Sequence, residues 1–126
     1  MIMNTEIEKQ TLLSEPLSQD ALRLARALYN TYEENDDDDL DMDIKIEAIL
    51  RLLKLENTQD SLLYIRKLLE ELNEPLGVKD FTFEGKRYPL RFVTFCKYSF
   101  HNEILHIQLS QEYLDVQKNY MLDAFL

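Results

Sequence analysis

The sequence has one cysteine, two glycines, three prolines and no tryptophan in 126 residues. One cysteine excludes an internal disulfide framework and leaves no cysteine cluster for zinc. Two glycines, Gly77 and Gly85, leave no glycine-rich loop of the kind that cradles phosphate. No apolar run approaches the length of a membrane span. The opening, MIMNTEIEKQ, lacks the basic region and apolar core of a secretory signal, so the expected location is cytoplasmic. Base is also scarce: Lys+Arg is 14 against 24 Asp+Glu, a net charge of −10. Phosphate neutralisation by overall charge is therefore excluded as a binding mode. What is present suits a folded domain, with 45% hydrophobic residues, 6 Phe and 7 Tyr.

The charge is uneven. Residues 30–43 hold eight acids, Glu33, Glu34, Asp36, Asp37, Asp38, Asp39, Asp41 and Asp43, and no base. Residues 81–100 hold Lys86, Arg87, Arg91 and Lys97 against Glu84 alone. Local pattern, not net charge, has to identify partners.

Residues 1–16 show no periodicity and end at Pro16, which predicts a flexible arm; residues 17–126 form the domain. A helix is predicted over 18–34, capped by Ser18, with a stripe through Ala21, Leu24, Ala25, Leu28 and Tyr32. The acidic run that follows predicts an exposed loop. A second helix is expected over 44–54, with Asp43 as its cap. After a tight connection a third is expected over 59–73, capped by Thr58. Asn73, Pro75 and Gly77 end it. Period-two patterns then predict strands at 81–83, 87–100 and 103–109. In the long one, Tyr88, Leu90, Phe92, Thr94, Cys96, Tyr98 and Phe100 fall on one face, with Val93 and Phe95 as exceptions. Ser110 caps a last helix, 111–125. The expected class is α+β: three helices, a three-stranded β wing and a C-terminal helix, the winged-helix plan.

The stretch from Leu17 to Tyr120 resembles the N-terminal winged-helix domain of plasmid replication initiator proteins. The resemblance is carried by LSQDALRLARALYNTY, by IKIEAILRLLKLENTQDSLLYIRKLLEELNE and by RYPLRFVTFCKYSFHNEILHIQLSQEYLDVQKNY. It implies self-association as a homodimer and association with DNA. In that family a second winged-helix domain makes the main contact with origin repeats, and the matching stretch covers the first domain alone. No residue-level DNA contact carries over.

Catalytic and metal chemistry find little support. An EF-hand register beginning at Asp37 meets Met42 where glycine belongs and Ala48 where glutamate belongs. His101 and His106 have only Glu103 as a nearby acid. Cys96, on an apolar strand face, reads as a small buried hydrophobe. The expectation is a protein without cofactor or metal, and not an enzyme. Arg66, Lys67, Lys86, Arg87, Arg91 and Lys97 are the candidate DNA-binding set, on the third helix and the wing. Solubilising charge competes with that reading, because Glu70, Glu71 and Glu74 lie on or just past the same helix. The alternative function is an acidic protein-interaction module in which Asp36, Asp37, Asp38, Asp39 and Asp41 meet a basic partner. A DNA mimic ranks third, because mimicry needs acids spread over a rigid face and these cluster about one loop.

Overall fold

The computed structural model describes residues 8–35 and 39–126. In chain order the elements are α1 (Gln19–Glu33), β1 (Asp41–Lys45), α2 (Ile46–Leu53), α3 (Gln59–Leu72), β2 (Leu76–Phe83), β3 (Lys86–Val93), β4 (Cys96–His101), β5 (Ile104–Leu109) and α4 (Gln111–Asn119). The class is α+β, with both sheets antiparallel.

Among the described residues, three of the four helices start where an oxygen side chain is available. Ser18 accepts from the Ala21 N–H, Thr58 from that of Ser61 and Ser110 from that of Tyr113, which satisfies one otherwise orphaned donor each time. Helix α1 buries Ala21, Leu24, Ala25 and Leu28 and packs on α2 and α3. Helix α3 turns Ile65, Leu68, Leu69 and Leu72 inward.

Helix α2 starts differently from expectation. Asp43 does not cap it; Lys45 stands at that position and offers no side-chain bond. Asp43 belongs instead to β1, whose Met42 and Ile44 alternate with Asp41 and Asp43. Strand β1 pairs with β5, and β5 with β4, in the order β1-β5-β4. The inner face of this sheet carries Met42, Leu105, Ile107, Leu109 and Cys96, all buried.

The three strands expected from the sequence do not share one sheet. The long strand 87–100 breaks at Thr94-Phe95. Its first part joins an extended β2 in a separate two-stranded hairpin, and its second part is β4. The hairpin is an excursion from the end of α3. At its base the Asn73 carboxamide oxygen accepts the Cys96 N–H at 2.8 Å, so the chain returns to where it left. At its tip Glu84 and Gly85 both have positive φ, 50° and 78°, as a two-residue type I′ turn requires.

Helix α4 ends at Asn119, six residues before the expected boundary. Gln117, only 5% exposed, explains the stop. Its side-chain oxygen accepts the Phe125 and Leu126 N–H groups and folds the last residues back over the helix. The segment expected to be a flexible arm is attached in its described part. Gln10 bridges Met121 in parallel, and Asp123 accepts the Leu12 and Leu13 N–H groups at 3.3 and 2.9 Å. Leu12, Leu13 and Leu17 pack against the core. Residues 1–7 lie outside the described residues.

Candidate interaction surfaces

The hairpin has two unlike faces. Near its base, Leu76, Val78 and Val93 are buried in the core. Farther out, Phe81 is fully buried, stacked near Phe83 and Tyr88 and meeting Tyr120 edge-on at 5.1 Å between ring centroids. The Tyr120 hydroxyl accepts the Thr82 N–H at 3.1 Å. An isolated two-stranded hairpin is marginal in water, so these contacts hold it to the body.

The other face is uncovered. Phe92 is 63% exposed and Leu90 53%. Phe92 stands across from Gly77 and Leu90 across from Lys79. Their side chains lie over the glycine: a Cβ at Gly77 would come within 3.1 Å of Phe92 Cε1 and 3.7 Å of Leu90 Cδ1. An aromatic ring laid over a strand glycine restores the cross-strand contact that glycine itself lacks.

This reverses the expected orientation. Alternation along 87–100 sets Leu90 and Phe92 on one face with Cys96, with Val93 and Phe95 as exceptions. In the structure Val93 and Phe95 are buried, at 2% and 1% exposure. The physical reason is the break at Thr94-Phe95. Odd-numbered residues face the core at the end of β3, and even-numbered ones do so on β4. No single alternation spans both strands.

The six basic candidates sit on three elements. Arg66 and Lys67 are exposed on α3, with the Arg66 guanidinium 5.2 Å from the centre of the Phe100 ring. On β3, Lys86 is at the hairpin tip, Arg87 pairs with Asp80 at 3.5 Å, and Arg91 pairs with Glu112 at 3.1 Å while lying over Tyr88. Lys97 is exposed on β4, paired in register with Gln108. The helix α3 acids also have partners. Tyr98 donates to Glu70, while Glu71 accepts from the Ser18 N–H at 2.6 Å and from its hydroxyl at 3.0 Å. Glu74 accepts from Ser14 at 3.3 Å. Burial, followed by the Glu70 contact, pushes the Tyr98 phenol up to about 12. Asp60 and Leu63 share the exposed side of α3 with Lys67.

No family model matches the chain, and no curated protein or solved structure matches it. The functional argument therefore rests on the surfaces themselves.

Of the acidic candidates, Asp36, Asp37 and Asp38 lie outside the described residues. Asp39 accepts the Asp41 N–H at 3.0 Å, and Asp41 in turn faces His106 Nε2 at 3.1 Å. Among the described residues no cluster of three or more His, Cys, Asp or Glu side chains is arranged to hold a metal ion. No helix among them is long and apolar enough to cross a membrane.

Cys96 is 4% exposed, and burial pushes its thiol up to about 12, against a smaller opposing effect of Asn73. A thiol this protonated and this enclosed is a poor nucleophile. Native protein is expected to react with a chromogenic disulfide reagent only through unfolding, and denatured protein to release one equivalent at once. Stoichiometric labelling of the native chain within minutes would contradict the burial.

Proposed function

We propose that this chain is a non-catalytic winged-helix module of the replication-initiator type that works by self-association through the outer face of its β2–β3 hairpin. Three helices, a tight turn between the second and third, and the antiparallel pair β4–β5 support the winged-helix assignment, with β1 added to the edge of the wing. The observation that carries the functional reading is the exposure of Phe92 and Leu90 together on one sheet face. Scattered apolar residues on a surface need no explanation. An aromatic and a leucine placed side by side over a glycine form a contiguous patch, and aromatic anchors of this kind dominate protein interfaces. A two-fold axis would set the same patch of two copies against itself, as the commonest oligomers do.

DNA association is the weaker half of the family's implied role. The net charge is −10, and two of the six basic candidates, Arg87 and Arg91, are already paired with acids. Solvent-exposed Asp60 lies on the same helix, roughly two turns before the basic pair of α3. The acidic-module reading has Asp39 and Asp41 engaged within the chain, so no observation favours it over self-association.

Two measurements on the purified chain test the proposal together. Light scattering is expected to give twice the chain mass. Fluorescence anisotropy with duplex DNA is expected to show no tight binding at low salt. A monomer that binds DNA with steep salt dependence would transfer the function to the basic residues.

A further inference from the structure

The outer face of the three-stranded sheet carries a group that the association reading leaves unused. His106, on β5, stands directly across from Asp43 of β1, with Asp41 two residues away on the same strand. His106 Nδ1 is 2.7 Å from an Asp43 carboxylate oxygen, and Nε2 is 3.1 Å from an Asp41 carboxylate oxygen. Both ring nitrogens therefore point at acceptors. A neutral imidazole has one N–H and can donate to only one of them, while the imidazolium donates to both. The geometry itself selects the charged ring.

The remaining described groups on this face add no further carboxylate. Lys45 completes the outer face of β1, and on β4 the outer face carries Lys97, Ser99 and His101. Ser99 is the direct cross-strand neighbour of His106, and its hydroxyl bonds to His101 Nε2 at 3.0 Å. Gln108 and Ile104 flank His106 on its own strand. Among the described residues, the two aspartates are thus its carboxylate contacts.

Strand β1 lies at the sheet edge and is hydrogen-bonded on one side only. It also leads directly out of the acidic run. The Leu109 N–H donates to the Leu40 carbonyl at 3.0 Å, and the Asp41 N–H to Asp39, so the docking of β1 fixes residues 39–41 as well.

We propose that His106 is a proton-operated clamp on β1. As the imidazolium it bridges Asp41 and Asp43 and holds the edge strand, with the end of the acidic segment, against β5. As the neutral ring it holds only one of the two, the other carboxylate loses its donor, and β1 loosens. The direction follows from linkage. The Asp43 hydrogen bond, with Asp41 assisting, raises the His106 pKa above its ordinary 6.5. Its stabilisation is fully present below the unfolded-state value and is lost as pH rises through the folded-state one. The clamp is independent of self-association, since it lies on a different sheet.

NMR titration of the His106 ring, paired with amide exchange of β1 across the same pH range, tests the clamp. His106 is expected to titrate above 6.5, and Asp43→Asn to lower that value. Protection of the β1 amides, corrected for intrinsic exchange, is expected to fall about two- to fivefold as the ring loses its proton, the scale of a solvent-exposed ion pair. His106→Gln is expected to remove the pH dependence. A wild-type ring titrating at or below 6.5 would overturn the clamp. So would β1 protection that stays constant across the His106 titration, a readout that needs no variant to fold.

Discussion

Phe92→Glu is expected to weaken self-association at least about thirtyfold, corresponding to the 2 kcal/mol or more lost at an interface hot spot. The argument is geometric. Phe92 is the most exposed aromatic side chain on the hairpin and lies over Gly77, with Leu90 beside it. Its truncation removes the largest apolar contact of the face. A glutamate there adds a desolvation penalty, and across a two-fold axis it brings two like charges together. Fold stability is expected to fall by no more than about 1 kcal/mol, the scale of the cross-strand contact with Gly77, because the side chain contributes nothing to the core. The pairing of these two results matters: lost association with a thermal midpoint little changed at concentrations where both proteins are monomeric separates an interface residue from a structural one. A Leu90→Glu variant is expected to act in the same direction, and Leu63→Glu, on α3, to leave association intact.

Phe81→Ala is expected to destabilise the fold by about 3–5 kcal/mol, the range for a buried phenylalanine cut back to a methyl. Phe81 is fully buried and stands among Phe83, Tyr88 and Tyr120. Those neighbours come from both hairpin strands and from the end of α4, so the cavity cannot close by moving one element. The same side chain holds the far half of the hairpin to the body, beside the bond between Tyr120 and Thr82. Urea unfolding is expected to show a lower midpoint with an unchanged slope. Loss of less than about 1 kcal/mol would mean that the hairpin docks through other contacts. Because the hairpin carries the association face, Phe81→Ala is also expected to weaken self-association, this time together with stability.

Helices were legible because their signals are local. Ser18, Thr58 and Ser110 mark three helix starts by a side chain reaching three residues ahead, and all three bonds are present. The α+β class follows from the change of period after Gly77. Strand β1 was illegible for a physical reason. Its two inward residues, Met42 and Ile44, alternate with Asp41 and Asp43 at the end of the acidic run, and its pairing with β5 joins it to residues far away in the chain, as from Asp41 to Gln108. Parity failed at Thr94-Phe95, where two irregular residues between strands exchange the inner and outer faces. That failure hid the candidate site itself, since Phe92 and Leu90 read as core until the break is known. The end of α4 was hidden by Gln117, a polar residue on the apolar stripe, whose task is to hold Phe125 and Leu126. His106 carried no local signal, because the aspartates it meets are cross-strand neighbours far away in the chain.

Sedimentation equilibrium of the wild-type chain beside Phe92→Glu tests the central claim most directly. Wild-type protein is expected to fit a monomer–dimer equilibrium that shifts toward the dimer with concentration, and Phe92→Glu to remain monomeric over the same range. A wild-type chain that is monomeric at every concentration, or a dimer equally strong in both proteins, would contradict self-association through the hairpin face.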